Sequence, residues 1–326
     1  MIRAEYTERG PALHALLHLV ERETPVPGPG EALVEMLAAP INPSDLLTIT
    51  GQYGLLPPLP AVAGNEAVGE VVAVGEGVNA SRIGERVVMP PGYGTWASHM
   101  LVPADRLWAV PTDADPLQLS MVRVNPPTAE LLLRDFVPLE RDEWIIQNAA
   151  NSGVGEYVIQ LARRRGLRTV NVVRREELIA PLQQMGADIV LLDGPDLPER
   201  VVDATQRAKI RLGLDAVGGS ATERIASALA PTGTVVNYGA SGGESSRITP
   251  RTLIFRDITV RGFWLVHWFR RTPVAEQQVL YDALAGMIRR GELAARIQAT
   301  FPLTQLHDAV TMAAQSARTG KVLLVR

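Results

Sequence analysis

The stretch from residue 144 to residue 166, WIIQNAANSGVGEYVIQLARRRG, decides the fold. Its opening is an apolar run of strand length. Its second half sets apolar side chains at Val154, Val158, Leu161 and Ala162, the spacing of one buried helical face, and Gly166 stops the helix. Between them Ala149-Ala150-Asn151-Ser152-Gly153-Val154-Gly155 leads from strand directly into helix. Two glycines let the backbone turn sharply and approach a pyrophosphate, and a helix N-terminus offers free N–H groups to an anion. The strict GxGxxG spacing is absent, so a plain strand-to-helix turn is the competing reading of this loop taken alone.

The sequence beyond repeats the alternation. RTVNVV (168–173) reads as a strand, EELIAPLQQMG (176–186) as a helix ended by glycine, and DIVLLD (188–193) as a strand. LPERVVDATQ, RLGLDAV, ATERIASALA and GTVVNYG continue the pattern, and DITVRGFW is a sixth strand. Short apolar strands separated by amphipathic helices predict a doubly wound parallel sheet covered on both faces, with ligand at the carboxyl ends of the strands. Before residue 120 the character differs. EALVEML, EAVGEVVAVG, GERVVMP and ASHMLVP are short β-branched runs broken by Gly and Pro, which predicts a compact β-rich domain. After residue 267 come the amphipathic segments VLYDALAGMIRRGEL and LTQLHDAVTMAAQS and a closing strand, KVLLVR, expected to return to that first domain. The expected division is therefore 1–120 with 267–326, and 121–266.

The second strand of the alternation bears on the choice of dinucleotide. NAD-binding chains place an acid about twenty residues after the glycines to hold the ribose 2′-hydroxyl. Here the strand ends Val172-Val173-Arg174-Arg175, and an arginine fork suits a phosphate dianion that an acid would repel. Two solvated surface arginines are the alternative. Glu176 and Glu177 follow, where acids suit the positive end of the next helix. The reading is NADPH.

Several classes of function are excluded by composition. Net charge is −3, and the longest basic run, Arg163-Arg164-Arg165, sits where a helix ends, so no nucleic-acid partner is expected. No apolar run approaches the ~20 residues that span a bilayer. The first ten residues, MIRAEYTERG, have no apolar core of a signal peptide, and the expectation is a cytoplasmic protein. The chain contains no cysteine, which rules out disulfides, thiolate metal sites and cysteine nucleophiles. Of five scattered histidines only His14 and His18 share a helical spacing, and they read as a polar stripe beside a strand or loop.

Taken together, Ile41-Asn42-Pro43-Ser44-Asp45, GQYGLLPPLPAVAGNEAVGEVVAVG (51–75), Val124-Asn125-Pro126, IIQNAANSGVG, LRTVNVVR and RGFWL resemble the medium-chain dehydrogenase/reductase superfamily over essentially the whole chain. Within it they resemble the enoyl thioester reductases of the trans-2-enoyl-CoA/ACP reductase type. The resemblance implies a Rossmann domain beside a GroES-like catalytic domain. It also implies a zinc-free site: zinc-containing relatives carry a Cys before the Ser-Asp pair and a Gly-His-Glu, where this chain has Pro43-Ser44-Asp45 and Gly64-Asn65-Glu66. A three-ligand zinc is not expected from Asp45, Glu66 and a stray histidine.

By the same resemblance Tyr53 stands at the catalytic tyrosine position, with Asn42 and Thr128 as supporting polar groups. Cofactor contacts map onto Asn125, onto Asn151, Ser152, Gly153 and Val154, and onto Arg174, Arg175 and Glu176. They continue at Tyr238, Gly239, Ala240 and Ser241, at Phe263, Trp264, Leu265 and Val266, and at Lys321. On physical grounds alone Phe263 and Trp264 serve equally as core or interface aromatics. Two residues depart from the pattern: Arg123 stands where a small residue is expected, and Glu130 where an aromatic is common, both expected near the acyl chain. Arg123, Arg270 and Arg271 are candidates for a basic mouth that takes a pantetheine phosphate. The expected partner is an enoyl thioester of CoA or acyl carrier protein. An NADPH:quinone oxidoreductase is the alternative enzyme, and a non-catalytic NADPH-binding member of the fold is the alternative class. Ile258-Thr259-Val260-Arg261 reads as a sheet edge, which predicts a homodimer.

Overall fold

The computed structural model describes residues 1–326, which divide into two compact units. One comprises Met1–Val124 and Gln278–Arg326, the other Asn125–Gln277. The first is built on strands β1 (Ile2–Tyr6), β2 (His18–Glu21), β3 (Glu31–Pro40), β4 (Ala61–Val62), β5 (Val68–Val74), β6 (Arg86–Val88), β7 (His99–Pro103) and β8 (Trp108–Ala109). The second holds β9 (Trp144–Gln147), β10 (Arg168–Val173), β11 (Ile189–Leu192), β12 (Ile210–Asp215), β13 (Thr234–Asn237) and β14 (Thr259–Gly262). β15 (Ile297–Pro302) and β16 (Lys321–Val325) then rejoin the first unit.

In the first unit a three-stranded sheet runs β2-β1-β4, and a seven-stranded sheet runs β15-β16-β3-β5-β6-β8 with β7 added to β3. β16 pairs antiparallel with β3, Leu324 opposite Ala39, so the last strand of the chain lies beside one of the first. Trp96, Met36, Ile41 and Leu324 are fully buried in the core these sheets enclose. The strand β15, at IQATFP, lies outside the strands expected above, although Ile297, Ala299 and Phe301 alternate as a half-buried face with exposed Gln298, Thr300 and Pro302. His14 lies in a short helix, Leu13–Leu16, and His18 opens β2, so the two do not share one helical face.

In the second unit the six strands are all parallel in the order β11-β10-β9-β12-β13-β14. Numbered within the unit this is 3-2-1-4-5-6, the doubly wound order, with helices on both faces. The units divide at Val124/Asn125 and Gln277/Gln278, whereas the sequence put the divisions at 120/121 and 266/267. The helix Leu265–Arg271 follows β14 directly and buries Leu265 and Trp268. Gln277 then donates to the carbonyls of Phe269 and Thr272, which ties that whole connection to the second unit. No helix is long and apolar enough to cross a membrane.

Gly155 shows why the first helix of this unit starts where it does. A Cβ there would lie 2.6 Å from the Ala150 carbonyl oxygen and 2.8 Å from that of Ala149. The Gly155 carbonyl in turn accepts from Gln147 Nε2 at 3.0 Å, joining the helix start to β9. Gly155→Ala is expected to lower the stability of the second unit by about 1–3 kcal/mol through overpacking. Urea unfolding followed by circular dichroism checks this, and an unchanged midpoint would contradict the close contact.

Candidate active site

The loop after β9 is shaped by its cap. Ser152 is the N-cap of the helix Gly153–Arg165, and its Oγ accepts from the Gly155 N–H at 3.1 Å. Ala149 adopts a positive φ of 46°, and the Ser152 N–H bonds back to its carbonyl at 2.8 Å. The first helical bond is donated by Glu156, so the Gly153 and Val154 amides precede it and have no acceptor within the helix. Free amides at the positive end of a helix dipole favour an anion. At the neighbouring strand end Arg174 is exposed and makes no ion pair in the chain, while Arg175 pairs with Glu177 at 3.1 Å. Of the expected arginine fork, Arg175 therefore has an acidic neighbour and Arg174 stands exposed beside it. Glu176 begins a 3-10 turn, Glu176–Leu178, and is exposed.

The parallel topology brings four expected segments to one edge of the sheet. Residues 151–154 follow β9, 174–176 follow β10, 238–241 follow β13 and 263–266 follow β14. Gly239 lies close against β12's extension: a Cβ there would be 2.9 Å from the Ala216 carbonyl oxygen. The Tyr238 hydroxyl is buried, and burial pushes it above its ordinary value while the Ser152 hydroxyl beside it pulls the other way. Phe263 meets Phe136 edge-on at 6.0 Å, and Trp264 meets His267 at 5.0 Å, so both aromatics have packing partners within the unit. Leu265 is buried and Val266 half-buried at the start of their helix. Asn125 opens the helix Asn125–Arg134, with its Nδ2 buried and unpartnered. Thr128 is buried one turn on.

In the first unit Tyr53 is half-buried in the loop that follows the helix Pro43–Thr50. Its N–H donates to the Leu47 carbonyl at 3.1 Å, and the same carbonyl takes the Gln52 N–H at 2.8 Å. Gly51 makes the turn with φ 82°; the aliphatic stem of Arg9 packs over it, and the Arg9 guanidinium donates to the Pro57 carbonyl and holds the far end of the loop. At the other end of the same helix Asn42 and Asp45 form a capping box. Asn42 donates through Nδ2 to Glu66 Oε1 at 2.7 Å and accepts through Oδ1 from Lys321 Nζ. Asn65 Nδ2 donates to Asp45 Oδ1 at 2.6 Å. Asp45, Glu66, Asn42 and Lys321 are all buried.

Asn42, Asp45, Asn65, Glu66 and Lys321 thus form a hydrogen-bonded cluster with an ammonium in it. No group of three or more His, Cys, Asp or Glu side chains is placed to hold a metal ion.

Two expectations are corrected here. Arg123 does not stand at a basic mouth: only 5% exposed, it lies over the rings of Trp108 (4.6 Å) and Tyr281 (5.1 Å), which themselves meet at 4.7 Å. Stacking on two aromatic faces is how a planar guanidinium is best held away from water. Glu130 pairs with Arg165, which also donates to the Leu133 carbonyl, so it joins two helices rather than shaping a pocket. Arg270 and Arg271 are exposed at the end of their helix. Sequence reasoning missed Asn148, Asp215 and Asn237, which sit at strand ends among expected cofactor segments.

The parallel sheet, the capped loop and the β-rich partner unit define a two-domain nicotinamide-dependent dehydrogenase/reductase of the medium-chain class. Family models agree: the alcohol dehydrogenase GroES-like domain matches residues 28–112, and the zinc-binding dehydrogenase model matches residues 153–280. The chain is 40% identical over 318 residues to the mitochondrial enoyl-[acyl-carrier-protein] reductase of Bos taurus, covering 95% of this chain and 84% of that one. It is 39% identical over 300 residues to the Homo sapiens enzyme of the same name, covering 89% and 80%. Among solved structures, a putative NADPH:quinone reductase from Bacillus thuringiensis superposes with TM-score 0.91 at 27% identity, covering 100% of this chain and 98% of that one. The complex of Etr1p with NADP and crotonyl-CoA superposes with TM-score 0.88 at 25% identity, covering 100% and 99%. The chain belongs to the enoyl-[acyl-carrier-protein] reductase family within the medium-chain dehydrogenase/reductases.

The buried cluster has a pH signature. Burial pushes Asp45 up to about 6, against hydrogen bonds from the Asn42 and Asn65 groups and the Lys321 charge. Burial pushes Glu66 up to about 7, against the Lys321 charge and the Asn42 hydrogen bond. Both carboxyls hold a proton more tightly when folded than at their ordinary values of 3.8 and 4.5. Their contribution to stability is therefore complete below those ordinary values and is lost as pH rises through the folded ones. Glu66→Gln is expected to reduce the fall in Tm of the wild type between about pH 5 and pH 8, since a neutral amide does not titrate. Parallel Tm–pH curves for the two proteins would contradict this.

Proposed function

We propose that the chain is an NADPH-dependent enoyl thioester reductase, and the observation that carries this is 40% identity to an enoyl-[acyl-carrier-protein] reductase along 95% of its length. The groups present suit the cofactor. Arg174 fits a 2′-phosphate, and the Gly153 and Val154 amides fit the pyrophosphate. Asn125, Asn151, Tyr238, Ala240, Ser241, the 263–266 segment, Arg175, Glu176 and Lys321 complete the proposed contact set. Bound NADPH supplies a hydride, which goes to Cβ of a C2=C3 double bond conjugated to the thioester carbonyl.

The protein's own part is to bind, to hold the developing enolate charge and to deliver a proton to Cα. We assign proton delivery to Tyr53, directly or through a water it orients. A phenol with a reference pKa of about 10 stays protonated at neutral pH. Its loop is fixed at both ends, by the bonds to the Leu47 carbonyl and by Arg9 at Pro57. Asn42 and Thr128 are proposed as polar support. The substrate class follows the crotonyl-CoA bound by Etr1p. Reduction of a quinone is the second reading, carried by the likeness to the Bacillus thuringiensis protein.

We further propose a homodimer through β14. That strand ends the sheet order and is exposed along its length, beside exposed Ile254 and Phe255. An unpaired edge of this kind is an aggregation hazard unless covered. The Candida tropicalis relative Etr1p/Etr2p is a heterodimer. Light scattering is expected to give twice the 35.3 kDa chain mass, and a monomer at micromolar concentration would count against the pairing.

NADPH oxidation at 340 nm with crotonyl-CoA is expected to proceed in the wild type and to fall roughly 10²–10⁴-fold in Tyr53→Phe. Arg174→Ala is expected to raise the KM for NADPH roughly 10- to 100-fold, because a charge-assisted phosphate contact is lost. Turnover of benzoquinone alone would replace the enoyl substrate by the quinone reading.

A further inference from the structure

Asp215 closes β12, and its side chain is fully buried. Five donors converge on it. Oδ1 accepts from Asn148 Nδ2 at 2.6 Å and from the Val217 and Gly218 amides at 2.9 and 3.1 Å. Oδ2 accepts from Thr222 Oγ1 at 2.6 Å and from Asn237 Nδ2 at 3.0 Å. Burial by itself would raise this carboxyl; the hydrogen bonds from Asn148, Thr222 and the Gly218 and Val217 amides outweigh it and hold the group below its ordinary value. An ionised carboxylate offers about four lone-pair sites, so this one is saturated and cannot turn toward a ligand.

What matters is where its partners lead. Asn148 is the last residue before the loop 149–154. It is clamped on both sides, its backbone N–H donating to the Leu214 carbonyl at 3.1 Å and its Oδ1 accepting from the Ala216 N–H at 2.8 Å. Asn237 is the last residue before the 238–241 segment, and its Nδ2 also reaches the Gly239 carbonyl at 3.1 Å. The backbone around Asp215 completes the join: the Tyr238 N–H donates to its carbonyl, and the Ser241 N–H to that of Ala216, both at 2.9 Å. The ends of β9, β12 and β13 are thereby referenced to one carboxylate.

We propose that Asp215 is a positioning residue that sets the spacing between the 149–154 loop and the 238–241 segment, and through it the affinity for the pyrophosphate–nicotinamide half of the dinucleotide. The inference rests on the reading that these two segments bind NADPH. A merely structural carboxylate would hold the sheet together and treat every part of the cofactor alike. A positioning one acts on the half that the two segments share and leaves the 2′-phosphoadenosine end, assigned to Arg174 after β10, untouched.

The test uses the full-length protein, well below its unfolding temperature, with two probes: NADPH, by its fluorescence enhancement, and 2′-AMP, by NMR titration. Asp215→Asn keeps the shape but sets an amide against the donors. Asn237→Ala removes one donor of five, so it remains informative if the first variant does not fold. Both variants are expected to raise the Kd for NADPH about tenfold or more, the scale of a lost hydrogen bond to a charged group, with the Kd for 2′-AMP changed by less than about twofold. An unchanged NADPH Kd in a folded variant, or equal weakening of both probes, would overturn the assignment. Failure of the wild type to bind NADPH would instead remove the cofactor reading on which it stands.

Discussion

Six strands that run the same way cannot be joined by hairpins, and most of the second unit follows from that constraint. Each strand must be followed by a crossover, so every strand ends at the same edge and every outgoing loop gathers there. The gathering has a consequence for polar groups. Strand ends place amides, carbonyls and short polar side chains next to one another at the border of a dry sheet, and each needs a partner. Asp215 supplies five of those partners at once, and Gln147 and Asn171 supply more inside the sheet, with Gln147 Nε2 on Asn171 Oδ1 at 2.8 Å. Small residues where backbones nearly touch, Gly155 and Gly239, allow the same edge to stay close-packed.

The first unit meets the opposite problem, namely charge placed in its interior. Lys321 and Arg123 are buried cations, and Asp45 and Glu66 are buried carboxyls. Separately each would be costly; together they offset one another through Asn42 and through nearby charge. The chain uses Arg for almost every cation, and Lys321 is one of only two lysines. A compact ammonium on a flexible stem suits a crowded amide–carboxylate cluster better than a planar fork, while Arg123 takes the one place where two flat rings receive it.

The fold was legible because its signals are local and periodic. Strand, capped loop and helix over 144–166 were readable from apolar spacing and glycine, and the alternation after them carried the parallel sheet. The candidate site was legible in part. Ser152 and Arg174 could be named because topology assigns loops to the ligand edge, and Tyr238 through the family resemblance. Asn148, Asp215 and Asn237 were not named, since a polar residue at a strand end looks the same in sequence whether it faces solvent or a buried partner 67 residues away. The only available hint was that each closes an otherwise apolar strand. Arg123 and Glu130 were recognised as unusual, but their neighbours, Trp108, Tyr281 and Arg165, lie far off in sequence and gave no sign of the pairing.

By itself, then, the order of residues determined most of the elements, the parallel architecture and the kind of dinucleotide, which rest on patterns within a few turns or on a motif's spacing, and the family, through the motifs that resemble it. Tertiary structure alone decided which charges are neutralised and by what. It paired Arg175 with Glu177, set Arg123 over two adjoining rings, and placed the Lys321 ammonium on Asn42. Hydrogen bonds and ion pairs act over about 3–4 Å, and which groups come within that distance depends on how distant segments pack rather than on how near they lie in the chain.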